Sequence, residues 1–218
     1  FNTISERSNR ALINFIQDYL KSYNIASDVA WNKEGTKADL IATIGPIVED
    51  GILLSGHTDV VPVSGQEWSS DPFKMIRNGD RLYGRGTCDM KGFLAVVLAL
   101  ISQFTKLDLK IPIHLAFSYD EELGCLGAPA LISRLCMKIP RPRAAIIGEP
   151  TGMKLVNAHK GITLYETTIK GISGHSSQVH LGVNANLYGA KYIKFLEEIG
   201  RELVSAGHKD DRFEPPYS

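Results

Sequence analysis

The 218-residue sequence contains no apolar run approaching the roughly 18 residues of a membrane-spanning helix, and its first residues lack the basic-then-apolar order of a signal peptide. No membrane partner is expected, and a cytoplasmic location is the default. Excess charge of one sign is also missing: Lys plus Arg number 24 and Asp plus Glu number 24, so no global field draws the chain to nucleic acid or anionic lipid. Cysteine is scarce. Cys88, Cys125 and Cys136 are too few, and odd in number, for a disulfide framework, and none has a CxxC partner. Cys88 and Cys125 lie beside acidic motifs, where a ligand role competes with the commoner role of free cysteine as a small buried hydrophobe. Internal repeats and low-complexity segments are absent. What is present, 44% hydrophobic and 22% charged residues, is the composition of a globular protein large enough to bury a core.

Leu12, Phe15, Ile16, Tyr19 and Leu20 recur at helical spacing and predict an amphipathic first helix. Short apolar runs follow at Ala38–Ile44, Ile52–Ser55, Ile113–Ser118 and Ala144–Ile147, and they read as buried strands. Longer apolar segments, Phe93–Phe104 and Ala128–Leu135, suit covering helices. The alternation predicts an α/β fold with a mostly parallel central sheet. Asn78-Gly79 is a hairpin signal inside 73–85. Beyond about residue 158 the pattern changes: Gly161–Ile169 alternates like a half-exposed strand and Asn184–Leu203 reads as a helix. Two domains are expected, 1–157 and 158–218. The abrupt Phe1 and the uncapped run Arg212 to Ser218 lead to the expectation that the chain is truncated at both ends.

Four acidic or histidine motifs each sit just past a predicted strand, where open α/β sheets place their ligands. Ser55-Gly56-His57-Thr58-Asp59 offers an imidazole for a metal, with Asp59 able to accept the other ring N–H and fix the tautomer. Gly84 to Gly92 is a glycine-rich turn entering a helix; it lacks GxxxxGK[ST] and GxGxxG spacing, so phosphate binding is the weaker reading and Asp89 a carboxylate ligand the better one. Asp120-Glu121-Glu122 places three carboxylates in a row, which repel unless cations or protons offset them. An acidic helix cap accounts for them equally well. Glu149, in Gly148-Glu149-Pro150-Thr151, closes a further strand. Together these supply one imidazole and three or four carboxylates, a donor set suited to Zn²⁺, with Co²⁺ or Mn²⁺ as alternatives.

The ordered set GHTDVVP, GRGTCDMKG, DEELG, GEPT and GHSS resembles the co-catalytic zinc amidohydrolases that include acetylornithine deacetylase, succinyl-diaminopimelate desuccinylase and aminoacylase. The resemblance spans essentially the whole chain. It implies a zinc-peptidase-like catalytic domain followed by the start of an α+β lid and dimerisation domain, two Zn²⁺ per complete site, and a homodimer acting on small N-acyl amino acids. On the matching positions, His57 and Glu149 resemble ligands of the first metal, Asp89 the bridging ligand with a cis bond to Met90, and Glu122 a ligand of the second. Asp59 resembles the residue that orients His57, Glu121 the general base, and His175 an oxyanion-stabilising histidine that reaches a neighbouring subunit's site. His159 is an expected substrate-side or hinge residue. FSYDEELGCLGA, GEPTGM and Asn157 to Gly161 are most similar to the acetylornithine-cleaving members, which implies N-acetylornithine hydrolysis in arginine biosynthesis, with the desuccinylase activity next. In such relatives a further histidine for the second metal lies beyond the stretch matched here. A non-catalytic metal-binding or dimerisation fragment is the competing expectation.

Overall fold

The structure, a computed structural model, describes residues 1–217 and divides into two compact units, Phe1–Met153 and Lys154–Ser218. The first unit opens with α1 (Arg10–Ser22), whose Leu12, Ile13, Ile16 and Leu20 form the buried stripe. Asn24, in the left-handed region at φ 60°, ends the helix as the amides of Asn24 and Ile25 turn back to the carbonyls of Lys21 and Leu20. Strands β1 (Ser27–Trp31), β2 (Ala38–Ile44) and β3 (Ile52–His57) follow, then a small hairpin, β4 (Ile76–Asn78) and β5 (Arg81–Tyr83), turning at Asn78-Gly79. Helix α2 (Lys91–Phe104), β6 (Ile113–Ser118), α3 (Ala128–Lys138) and β7 (Ala144–Ile147) complete the unit.

The five-stranded sheet has the order β1-β2-β6-β3-β7. β3 runs parallel to both β6 and β7, while β1–β2 and β2–β6 are antiparallel. The α/β expectation holds, but the sheet is mixed rather than mostly parallel. The strand that tips the balance, β1, carries Ser27 and Asp28 and only a short apolar run, so its sequence did not announce it; a short connection then returns the chain as an antiparallel neighbour. Alternation along β2 divides the core. Ala38, Leu40, Ala42 and Ile44 join the α1 and α2 side chains in the main cluster, whereas Ile41 packs with Ala116 and Leu131 beneath α3. β7 departs from the buried reading: it is an edge strand, and Ile146 and Ile147 are exposed. The three cysteines are exposed rather than buried, lying in surface turns and on the outer side of α3.

In the second unit, α4 (Ala185–Ala206) starts at Asn184, whose side chain accepts the Asn186 amide at 2.9 Å. The strand expected over Gly161–Ile169 does not form. Alternation specifies a strand only where a partner offers hydrogen bonds, and the nearest pairing is the isolated bridge Ile172–Val183. No helix among the described residues is long and apolar enough to cross a membrane.

Candidate metal centre

Parallel pairing of β3 with β6 and β7 brings three strand ends to one sheet edge, where six of the seven candidate site residues, His57, Asp59, Asp89, Glu121, Glu122 and Glu149, collect. His57 is the last residue of β3 and pairs in register with Ser118, the last of β6; Asp120, Glu121 and Glu122 follow directly. Ser55 pairs with Ile147 at the end of β7, two residues before Glu149. Asp89 comes from the turn before α2, linked to Met90 by a cis peptide bond. Met90 is fully buried, and its sulfur accepts the His57 amide at 3.2 Å. The residues preceding two of the candidate ligands are glycines for a steric reason. A Cβ on Gly56 would lie 2.6 Å from the Met90 methyl, and one on Gly148 would lie 2.0 Å from the Phe93 ring.

The His57 ring, 2% exposed, is oriented from behind. Nδ1 is 2.9 Å from the Asp59 backbone carbonyl, an acceptor that requires the proton on Nδ1 and leaves Nε2 for the site. The Asp59 carboxylate, expected to do this, lies farther off at 3.6 Å because it has other partners. It accepts the Ser5 hydroxyl at 2.7 Å and the amides of Glu121 and Glu122 at 3.2 and 3.3 Å. Asp59 therefore positions both the imidazole, through its backbone, and the acidic loop, through its side chain. Ser5 was not legible as part of the site, since an isolated serine 54 residues away carries no pattern.

Nε2 faces Asp89 Oδ1 at 3.0 Å, Glu149 Oε1 at 3.8 Å and Glu121 Oε2 at 3.9 Å. Two overlapping groups can each converge on one ion: His57, Asp89 and Glu149, and His57, Glu121 and Glu122. Ligands about 2.0–2.2 Å from a tetrahedral ion sit roughly 3.4 Å from one another, so these spacings fit a divalent cation with little rearrangement. Electrostatics agree. Burial, then the Asp89 charge, raises the Glu122 pKa; burial also raises that of Glu149 against the pull of His57, with the Asp89 and Glu121 charges adding to the rise. Crowded, partly desolvated carboxylates of this kind are relieved by a cation. Asp59 stays below the usual carboxylate range: burial opposes its charge, but the nearby His57 ring and hydrogen bonds from Ser5 and the Glu121 amide prevail.

The acidic cap reading of the Asp120 loop does not hold. α3 starts at Ala128 with Gly127 as its cap and has no acidic residue in its first turn. Cys125 donates its thiol to Glu121 at 3.6 Å and joins neither ligand group. His175 belongs to the second unit, where it is exposed and accepts the Ser177 amide at 3.2 Å; His159, also exposed, contacts the Lys160 carbonyl at 2.9 Å.

Burial disfavours a charge on His57, but Asp59 and then Glu149 outweigh it and raise its pKa to about 9. Without metal the ring is thus protonated at neutral pH, and an ion must displace that proton. Zinc affinity is expected to climb with pH up to about 9, with close to one proton released per ion near pH 7.5 by calorimetry in buffers of differing ionisation enthalpy. Because the folded pKa lies above the unfolded value of 6.5, the charged ring stabilises the metal-free fold fully below pH 6.5. That contribution, on the order of 3 kcal/mol, fades as pH rises through about 9.

A family model described as peptidase family M20/M25/M40 matches residues 53–216. Acetylornithine deacetylase of Pasteurella multocida is 42% identical over 214 residues, which is 97% of this chain and 54% of that protein. The protein of the same name from Buchnera aphidicola of Acyrthosiphon pisum is 35% identical over 203 residues, 93% of this chain and 50% of its own. The chain spans about half the length of the curated relatives it matches. Among solved structures, a tripeptidase from Staphylococcus aureus superposes with TM-score 0.62 at 18% identity, covering 88% of this chain and 52% of that one. An M20 family metallo-carboxypeptidase from Sulfolobus solfataricus gives 0.58 at 24% identity, covering 67% and 34%. These two share the fold. With one sheet edge collecting an imidazole and its carboxylates, and a family match over three strands of that sheet and onward to residue 216, the chain belongs to peptidase family M20/M25/M40.

Proposed function

We propose that the whole protein is a metal-dependent hydrolase of the amide bond in N-acyl amino acids, and that N-acetylornithine, cleaved to ornithine and acetate for arginine biosynthesis, is its substrate. The observation that carries the reading is the buried His57 ring, its Nδ1 tied to a carbonyl and its Nε2 turned toward the carboxylates of Asp89, Glu121 and Glu149. The substrate rests on the 42% identical relative, an acetylornithine deacetylase.

His57, Asp89 and Glu149 would hold one Zn²⁺, and Asp89 and Glu122, with a histidine from outside this chain, a second; Co²⁺ would substitute. When bound, the ions polarise the scissile carbonyl and ease ionisation of the attacking water. Glu121 takes that proton and delivers it to the leaving amine, a role suited to a carboxylate at the mouth of the site, half-exposed and within 3.9 Å of the ligand histidine. Asp59 holds the ring and the acidic loop in register. His175 stabilises the oxyanion of the tetrahedral intermediate across a homodimer formed through the second unit. A cytoplasmic location fits such a biosynthetic role.

Zinc titration of the metal-free 218-residue chain should show one tight ion, with a second weaker by about 100-fold or more, since even a lost outer partner costs a site 10–100-fold. The chain alone should not hydrolyse N-acetylornithine, whereas the whole protein should, and chelation should abolish that activity. Two equally tight ions with full activity in the chain alone would overturn the ligand assignment. Faster turnover of N-succinyl-diaminopimelate than of N-acetylornithine would move the substrate to the desuccinylase alternative. A whole protein inactive on all N-acyl amino acids would leave the metal-binding or dimerisation fragment as the reading.

A further inference from the structure

The side chains of Glu121 and Glu122 have few fixed contacts of their own: the Cys125 thiol reaches Glu121, and both face the same histidine. Their placement must therefore come from the backbone beneath them. That backbone has two anchors. One is the Asp59 carboxylate, which accepts both amides. The other is Asp120, which takes the left-handed conformation at φ 55° and is 7% exposed. Its carboxylate ends on Lys37 Nζ, at 2.6 and 2.7 Å to the two oxygens, and belongs to neither metal group. Lys37 also donates to the Ser5 carbonyl, and the Ser5 hydroxyl donates to Asp59 at 2.7 Å. One ammonium thus ties both anchors together. It also neutralises one of three consecutive carboxylates where the site already gathers Asp89 and Glu149. Lys37 and Asp120 side chains are 15% and 10% exposed, so their attraction is only weakly screened.

We propose that Lys37 is a positioning residue for Glu121 and Glu122, acting through Asp120 and Ser5 from outside the site. The positioning claim stands on geometry; its activity arm rests on the deacylase reading above.

The test has two readouts on the whole protein. Hydrogen exchange of the metal-free protein reads the loop directly: Lys37→Met should accelerate exchange over residues 118–127 about tenfold, and leave α1 and β2 beyond Lys37 unchanged. With metal loaded, kcat on N-acetylornithine should fall about 10- to 100-fold with KM nearly constant, the scale at which small misplacements of catalytic groups act. Lys37→Arg should restore most of both. Asp120→Asn should reproduce the Lys37→Met effects, and the double variant should be no worse than either, because the two residues act as one unit. Unchanged loop exchange in Lys37→Met and Asp120→Asn would overturn the proposal, as would additive losses in the double variant. A global rise in exchange without rescue by arginine would likewise replace it with a merely structural role. If the wild-type protein turns over no N-acyl amino acid, the deacylase reading fails while the exchange measurement still decides the positioning claim.

Discussion

Glu121→Ala in the whole protein is expected to retain its metal and lose about 10²- to 10⁴-fold in kcat, the range a positioned general base supplies. The expectation distinguishes neighbours that look alike in sequence. Glu121 and Glu122 each join the same ligand group with His57, and each donates its amide to Asp59. Removing a ligand should lower metal content together with activity, as Glu122→Ala is expected to do, whereas removing the base should lower activity alone. Metal analysis alongside single-substrate kinetics separates the two. Near-normal turnover in Glu121→Ala, or equal metal loss in both variants, would sink the division of labour.

Arg134→Ala should cost about 3–5 kcal/mol of stability, the usual penalty for leaving a buried charge without its partner. Asp39, 2% exposed, lies in β2 between the buried Ala38 and Leu40, on the face covered by α3. Arg134 of α3 pairs with it and also reaches Asp28 of β1 at 2.9 Å, with Lys138 3.5 Å from the same Asp28 oxygen. These charges join the helix to the two strands farthest from the metal centre. Replacing both Asp39 and Arg134 by apolar residues of similar volume, Asp39→Leu with Arg134→Met, should recover most of the loss, because the buried carboxylate is gone with its partner while half-exposed Asp28 keeps Lys138. Chemical denaturation of the metal-free protein reads both variants. Equal destabilisation by the single and double changes would show that packing, rather than an unpaired carboxylate, sets the cost.

Much of the first unit was legible because its elements carry continuous apolar runs, most of them buried, with β7 the exposed exception. β2, β6 and β7 coincide with the runs read from sequence, β3 extends two residues past its run, and the helices needed only small adjustments at their ends. β1 escaped because an edge strand with intermediate burial needs little apolar patterning. Gly161–Ile169 forms no strand for the converse reason: alternation without a hydrogen-bonding partner remains a pattern only.

The candidate site divides along the same line. His57, Asp89, Glu121, Glu122 and Glu149 could be picked out individually because each ends or follows a strand or precedes a helix, a position set by local sequence. Local sequence also fixed the glycines at 56 and 148 that let the segments carrying His57 and Glu149, two candidate ligands, lie close against Met90 and Phe93. Which carboxylates face the imidazole, and which are spent on support, was decided only when β3, β6 and β7 paired in parallel. Asp59 turned from the ring to the loop amides, Asp120 turned away to Lys37, and Ser5 linked the two. Those partners lie 54 to 83 residues apart, and hydrogen bonds over such separations depend on register and packing geometry that no short motif encodes.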